Sequence, residues 1–384
     1  MKLKIPLAWL QLSREKNRLL IAMAGIAFAD ILMFMQLGFQ SALYASNTRI
    51  HYKLKADLVM VSPQAQNLIN LFSFPRRRLY QAMNFQEVES ADALYAYLVA
   101  WKHPETRLNT RLLVFGFNPA KPFINIPEVN QNLDKIKYSD TLLFDKKSRG
   151  NYKASIAKIE KGQTVSTEIE GRKINVSGLF TIGASFASDG SLITSDQNYL
   201  RMFTNQSAAK VNVGLIKLKP GADPKQVAAM LKSKLPDDVR VMTLSEFIEL
   251  ENNHWAHHTP IGFIFSVGTI LGFVVGTVIV YQILYSDVAD HLPEYATLKA
   301  IGFKNNYLLS VVIQEALILA VLGYLPGCAI SAGLYALTRN ATNLPLFMSL
   351  TRAIVVLFLT IFMCLVSGGI AVRKLNSADP AEIF

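Results

Sequence analysis

The sequence predicts an integral membrane protein with four transmembrane helices and a large α+β domain between the first helix and the second. Four long runs of residues are almost free of charge, and the stretch between the first two runs has the charge content of a water-soluble domain. That stretch also ends in a strand, a helix and a second strand. We divide the chain into a cytoplasmic amphipathic N-terminal helix (1–18), the first span (19–45), a periplasmic domain (46–258) with an inserted β-rich subdomain (118–209), the second span (259–285), a cytoplasmic coupling loop (286–307), the third span (308–337), a short periplasmic loop (338–352), the fourth span (353–372) and a cytoplasmic tail (373–384).

The four apolar runs set the number of spans. Residues 19–48 contain one charged residue, Asp30, and residues 252–286, 316–338 and 353–372 contain none. Each run reaches the roughly 20 residues that a helix needs to cross a hydrocarbon core about 30 Å thick. Both cysteines, Cys328 and Cys364, fall in such runs and are read as small apolar residues.

The stretch from 47 to 258 holds 28 Lys/Arg and 20 Asp/Glu, which is typical of a globular domain. Its end predicts a βαβ unit: a strand over 211–218, a helix capped by Asp223 with Pro224 at its first position, and a strand over 239–243. A helical segment over 244–253 then leads into the second span as a stalk. The split βαβ part surrounds the inserted β-rich part.

The distribution of Lys and Arg in short segments predicts the orientation. The first 18 residues, the loop after the second span and the tail contain nine of them, and the loop between the third and fourth spans contains two, Arg339 and Arg352. Both termini are therefore expected in the cytoplasm and the large domain in the periplasm, which places the protein in the inner (plasma) membrane.

The N-terminus itself predicts an interfacial helix, because Ile5, Trp9 and Leu12 share one helical face among basic residues. A cleaved signal peptide is the competing interpretation, since Ala27 and Ala29 form an A-x-A pattern, but the apolar run continues past it. In the middle of the first span, Asp30 is a candidate functional residue. A hydrogen-bonded structural contact is an equally good reading of it.

The sequence contains only incomplete versions of catalytic motifs. The run from Gly178 to Ser185 has the glycine spacing of a phosphate-binding loop, but Ala184 stands where the lysine is required. His254, His257 and His258 form a cluster that fits an interfacial belt better than a metal site. We therefore expect no enzymatic activity, no metal and no cofactor in this chain, and no nucleic acid as partner.

The segment "DHLPEYATLKAIGF", from Asp290 to Phe303, predicts one compact helix between the second and third spans. Pro293 suits the first helical position, and Gly302 suits a left-handed C-terminal cap. Tyr295, Leu298 and Ile301 recur at spacings of three, which predicts an apolar strip. Lipid or a groove on a cytoplasmic protein could cover such a strip.

The pattern E-x-x-x-L-K-A-I-G from Glu294 to Gly302 resembles the cytoplasmic coupling segment of ABC-transporter permeases of the MacB and FtsX class (type VII). The tail "VRKLNSADPAEIF" resembles the closing pattern of that class. Five longer segments are similar to the DevC-type permease of cyanobacteria: "ADLVMVSPQ", "FPRRRLYQA", "GLFTIGASFASDGSLITSD", "GLIKLKPGAD" and "VYQILYSDVADHLPEYATLKAIG".

This resemblance implies a homodimeric permease that works by mechanotransmission. A separate ABC ATPase (DevA-type) would bind ATP and Mg and dock beneath it, and a periplasmic adaptor (DevB-type membrane fusion protein) would join it to a TolC-like outer-membrane duct. Membrane lipid would surround it, and the cargo would be glycolipid for the heterocyst envelope. The expected ATPase-coupling residues are Glu294, Tyr295, Leu298, Lys299, Ile301 and Gly302. The alternative implied by the same class is an FtsX-like regulator that activates a periplasmic enzyme without transport.

Overall fold

The structure, a computed structural model, describes residues 7–122, 124–303 and 305–376, without the side chains of residues 7, 299, 305, 306, 308 and 373–376. The chain separates into two compact units. The helical unit comprises Met1–Ser41, Pro260–Arg339 and Leu346–Phe384, and the sheet unit comprises Ala42–Thr259 and Asn340–Pro345. The last eight residues of the tail segment "VRKLNSADPAEIF", 377–384, lie outside the described part of the chain.

The elements of both units follow in chain order. The helices are α1 (Leu7–Arg14), α2 (Lys16–Asn47), α3 (Arg77–Met83), α4 (Pro127–Asn130), α5 (Lys153–Glu160), α6 (Asp196–Met202), α7 (Pro224–Lys234), α8 (Leu244–His257), α9 (Pro260–Asp290), α10 (Leu292–Ala300), α11 (Asn305–Thr342) and α12 (Leu350–Asn376). The strands are β1 (Leu58–Val61), β2 (Phe74–Pro75), β3 (Val88–Lys102), β4 (Asn109–Phe117), β5 (Thr141–Asp145), β6 (Val165–Ile169), β7 (Arg172–Phe180), β8 (Ser191–Ser195), β9 (Lys210–Val211), β10 (Val213–Leu218) and β11 (Arg240–Thr243).

Four helices are long and apolar enough to cross a membrane, which confirms the predicted fold class. They are α2, α9, α11 over Leu309–Thr342 and α12 over Leu350–Val372. All four continue beyond the apolar runs that identified them, because a helix keeps its backbone hydrogen bonds where its side chains become polar. The α+β unit lies in the chain between α2 and α9, as predicted.

The membrane helices approach one another at small residues. A Cβ placed on Gly25 of α2 would lie 2.6 Å from Ile279 of α9, and one on Gly323 of α11 would lie 2.6 Å from Ile26 of α2. Gly276 of α9 is similarly close to α12. Apolar burial gives little driving force between helices in lipid, so this close van der Waals packing is what fixes the helical unit.

The sheet unit contains one sheet of nine strands in the order β11-β1-β10-β3-β4-β8-β5-β7-β6. β1 pairs with β10 and β11, and β10 pairs with β3, all antiparallel. The segments β1-α3-β3 and β10-α7-β11 are therefore two interleaved split βαβ units. α7 begins as predicted, with Pro224 at its start and the Asp223 side chain accepting the backbone N–H of Lys225 at 3.0 Å.

The predicted β-rich insert, 118–209, contributes four strands that extend this same sheet and do not form a separate one. β8 pairs with β4 in parallel, β5 joins β8 to β7, and β6 follows β7. At the far edge β6 pairs back with β3 at Trp101 and Lys102. Six strands therefore form a closed ring, and closure satisfies the backbone groups that an edge strand would expose.

The predicted stalk is a separate helix. α8 begins with a capping box in which Thr243 and Glu246 exchange hydrogen bonds, and it ends at His257, two residues before α9. Phe247 of α8 packs with Val59 and Leu215 on one face of the sheet, while α3 and α7 cover the other face.

A buried histidine and a buried glutamate meet in the sheet unit. Glu251 of α8 accepts the backbone N–H of Leu68 at 2.7 Å and the indole N–H of Trp255 at 2.8 Å, and its Oε2 lies 3.6 Å from Nε2 of His51. Burial raises the pKa of Glu251 to about 7 and lowers the pKa of His51 to about 3. Both groups are therefore neutral between these two values.

Candidate functional site

The short helix α10 is anchored to the helical unit by a buried aromatic side chain. Tyr295 is buried and packs with Val288 of α9, Val312 of α11 and Val372 of α12. Leu298, one turn later, is only partly buried against the same group. A helix of nine residues is too short to be stable alone, so this anchor fixes its position.

The other end of α10 is exposed and has a defined shape. Gly302 has a φ of +106°, and the backbone N–H of Phe303 donates to the carbonyl of Leu298 at 3.1 Å, which is the Schellman arrangement that the glycine predicted. Ile301 is 71% exposed, and the ring of Phe303 is also exposed. We call residues 301–303 the α10 tip.

The predicted apolar strip is thus divided between two surroundings. Tyr295 faces the interior of its own unit, Leu298 lies at the boundary, and Ile301 faces outward. Glu294 is exposed near the start of the helix, and the side chain of Lys299 lies outside the described part of the chain. A partner that contacts α10 can therefore touch its tip and its polar face but not Tyr295.

Around Tyr295 lies a group of polar residues that the sequence reasoning did not identify. We call it the α10 polar cluster; its members are Gln11 of α1, Arg18 of α2, Asp287 of α9, Tyr295 of α10 and Glu315 of α11. The signal available in the sequence was slight: Asp287 and Glu315 each border a charge-free run, at 252–286 and 316–338.

Arg18 forms the charged side of the cluster. Its guanidinium lies 2.9 Å from Glu15 and 3.6 Å from Asp287, and it donates a hydrogen bond to Asp290. The pairs with Glu15 and Asp290 are partly exposed, so solvent screens them and each contributes little to stability. Their geometry nevertheless ties the start of α2 to the end of α9.

The remaining members are buried with polar atoms left over. Within the described residues, no well-formed hydrogen bond reaches either carboxyl oxygen of Glu315, the hydroxyl of Tyr295, the amide of Gln11 or one oxygen of Asp287. Burial raises the pKa of Tyr295, and the nearby carboxyls of Glu315 and Asp287 raise it further. The phenol is therefore a neutral donor and acceptor beside two acidic groups.

Asp30, the predicted intramembrane candidate, lies elsewhere in the helical unit. It is fully buried and accepts the hydroxyl of Thr360 at 2.5 Å, which links α2 to α12. It follows Arg18 by twelve residues, or about 18 Å along a helix at 1.5 Å per residue. The structure does not bring Asp30 together with the residues of α10.

Two other sequence features have local explanations. The backbone N–H groups of Ile182 and Gly183, in the loop with phosphate-loop glycine spacing, donate to the buried carboxyl of Asp145 at 3.2 and 2.6 Å, so the chain's own anion occupies that turn. The rings of His254 and His258 stack with centroids 6.0 Å apart. Over the described ranges, no group of three or more His, Cys, Asp or Glu side chains is placed to hold a metal.

Comparison with known proteins finds a family model that matches the C-terminal third of the chain. Residues 261–380 match the FtsX-like permease C-terminal family. The matched segment begins one residue into α9 and includes α10, α11 and α12, so it covers Asp287, Tyr295, Glu315 and the α10 tip. The resemblance to FtsX-class permeases is confirmed over these residues, whereas a DevC-type identity stays a prediction.

Two solved structures are also similar to this chain. The periplasmic region of MacB from Actinobacillus actinomycetemcomitans is 11% identical and covers 55% of this chain and 98% of its own, with a TM-score of 0.34. The extracellular domain of the ABC-type transporter YknZ from Gram-positive bacteria is 14% identical and covers 49% of this chain and 99% of its own, with a TM-score of 0.30. The family match is the finding that bears on function.

Proposed function

We propose that this chain is the permease subunit of an ABC-type transporter and that a separate ATPase drives it by docking on the α10 tip. The observation that carries the proposal is the match of residues 261–380 to FtsX-like permeases, because that segment contains α10. The exposed Ile301 and Phe303 supply an apolar contact of the kind that fits a groove on a partner.

The anchoring of α10 suits it to transmit force. The tip is joined through one capped helix of nine residues to Tyr295, which touches α9, α11 and α12 together. A displacement of the tip is therefore passed to three membrane helices at one point. A nucleotide can shift the permease only through contacts that differ between two states of the ATPase, and the tip is where such contacts would form.

The remaining partners follow from the resemblance. The subunit forms a homodimer in the inner membrane with both termini in the cytoplasm, and the sheet unit faces the periplasm. ATP and Mg bind to the DevA-type ATPase, a DevB-type adaptor contacts the sheet unit, and a TolC-like duct completes a tripartite exporter. Glycolipid is the proposed cargo, carried by mechanotransmission without any catalytic residue in this chain.

Substitution at the tip tests the coupling role. Burying one isoleucine side chain contributes about 1.5–3 kcal/mol, so Ile301→Asp should weaken association with the ATPase at least tenfold. Leu108→Asp is the matched control, since Leu108 is 69% exposed and lies in the sheet unit. The measurement is recovery of the ABC ATPase with the tagged full-length chain and ATP hydrolysis by the purified complex. Equal recovery and hydrolysis in both variants would contradict the proposal.

An FtsX-like regulator is the second candidate, because the matched family is named for that class. Such a protein would use the same α10 contact to move the sheet unit against a periplasmic hydrolase. The partner bound to the sheet unit separates the two functions: an adaptor and a duct indicate export, and a hydrolase indicates regulation.

A further inference from the structure

Two carboxyl groups face each other inside the helical unit, beside the anchor of α10. Asp287 of α9 is almost fully buried and Glu315 of α11 is fully buried. The two carboxyls are near enough to interact electrostatically, although no well-formed hydrogen bond joins them among the described residues. Two ionised carboxylates cannot hydrogen-bond to each other, since both are acceptors, and two like charges buried side by side repel.

The cationic and N–H groups near the pair lie beside Asp287 and not beside Glu315. Asp287 has Arg18 of α2 at 3.6 Å and Nδ1 of His291 at 3.8 Å. His291 uses that same nitrogen to donate to the backbone carbonyl of Asp287 at 2.9 Å. No described cation or N–H donor reaches Glu315. One negative charge can therefore be held at Asp287, but a second one at Glu315 would be buried without compensation.

The other titratable groups near the pair do not change this balance. Glu15, before α2, and Asp290, at the end of α9, add negative charge and already bind Arg18. Tyr295 is the titratable group that α10 turns toward the pair, and it is neutral. From α12, the apolar residue Val372 packs beside Tyr295. The side chains of the next two residues, Arg373 and Lys374, lie outside the described part of the chain.

We propose that Asp287 and Glu315 form a proton-binding site in which Glu315 holds one proton beside the Asp287 carboxylate, because the nearby cation, Arg18, lies on the Asp287 side of the pair. On binding, an O–H bond forms on Glu315 with a proton from bulk water, and on release that bond breaks and the proton returns to water. A small cavity of about 10 Å³, whose lining includes Gln11, Glu15, Arg18 and Asp287, adjoins the Asp287 side of the pair. That volume is near the limit for a single water molecule and too small for a hydrated metal ion.

The site also controls how α10 is seated. Tyr295 contacts Val288 and Val312, which lie one residue and three residues from the two carboxyls along α9 and α11. Loss of the proton would leave two adjacent carboxylates in an apolar interior, and the least costly response is to admit water by displacing the short helix. The proton would therefore keep α10 in place. The proton would have this effect on α10 whether or not an ATPase is bound.

Infrared difference spectroscopy on the full-length chain in lipid tests the site directly. At neutral pH the wild-type chain should show C=O absorption from protonated carboxylic acids, to which Glu251 also contributes, and Glu315→Gln should lose the component that comes from Glu315. Glu249→Gln, the same change on an exposed carboxyl of α8, should leave the band in place. A band that persists unchanged in Glu315→Gln would overturn the proposal.

Hydrogen exchange of α10 amides tests the link to the helix. In the wild-type chain their protection should fall at least tenfold as the pH is raised through the loss of the band, and in Glu315→Gln it should not depend on pH. If Glu315→Gln does not fold, Asp287→Asn serves instead, because it removes the neighbouring negative charge and should shift the band. Sodium that increases protection at fixed pH would also overturn the proposal, since the ligand would then be a metal ion.

Discussion

Between pH 4.5 and 6.5, Glu251 and His51 should make opposite contributions to the pH dependence of the free energy of unfolding, and these contributions nearly cancel. Replacing either residue should therefore make stability depend on pH, with opposite slopes for the two variants. Burial raises the pKa of Glu251 from 4.5 to about 7, so between these values the folded chain holds a proton that the unfolded chain has released. The contribution of Glu251 therefore falls as the pH rises through this window. Burial lowers the pKa of His51 from 6.5 to about 3, so the unfolded chain binds a proton that the folded chain refuses, and the contribution of His51 falls as the pH drops.

The two windows overlap between pH 4.5 and 6.5, where the proton counts cancel. When one group is removed, the free energy of unfolding changes with pH through the other group alone. Over two pH units at about 1.4 kcal/mol each, the change amounts to about 3 kcal/mol. On going from pH 6.5 to 4.5, Glu251→Gln should lose about that much stability relative to the wild-type chain, and His51→Gln should gain a similar amount.

Urea unfolding of the full-length chain in detergent, followed by tryptophan fluorescence, measures this difference. The background variant Trp9→Phe restricts the signal to the sheet unit, where Trp101 and Trp255 lie. With a slope of about 3 kcal/mol per molar urea, the midpoint should shift by about 1 M between the two pH values. Parallel profiles for the two variants and the wild-type chain would refute the reasoning, whatever their absolute stabilities.

Two further predictions concern the helical unit, and thermal unfolding in detergent checks both. Gly302→Ala should cost about 1–2 kcal/mol and reduce association with the ATPase, because an L-residue is strained at a φ of +106°. Gly369→Ala is the control: the glycine lies within α12, and the added carbon would have no neighbouring atom within 4 Å, so this change should be neutral or stabilising. An equal loss of stability in the two variants would contradict the role of the cap. Thr360→Val should cost about 1–3 kcal/mol, because Asp30 loses the hydroxyl that it accepts. Thr269→Val should have a smaller effect, since that hydroxyl bonds only to the Phe265 carbonyl in its own helix; the same loss in both would show that the Asp30 contact is not important.

Some features could be predicted because they depend on short stretches of chain. The spans are visible because charge is costly in hydrocarbon, whatever the neighbouring helices are. The start of α7 at Asp223 and Pro224, and the cap at Gly302, follow from the backbone geometry of a few adjacent residues. The exposed position of Ile301 agrees with its place in a polar loop.

The candidate site could be predicted only in part. Gln11, Asp287 and Glu315 come from helices far apart in the chain, and none of them belongs to a motif. The side of α10 that faces inward could not be predicted either, because helical spacing puts Tyr295 and Ile301 on similar faces without saying which one a neighbour covers.

The sequence by itself determined the number of membrane spans, the start of α7, the cap of α10, and that the chain has a membrane part and a soluble part, since capping and transfer from water act locally. Only the tertiary structure decided that β6 returns to β3 to close a ring, and that a carboxyl of α9 meets one of α11 beside Tyr295. Backbone pairing and side-chain contact depend on distance in space, and residues that meet across such long separations leave no periodic pattern in the chain.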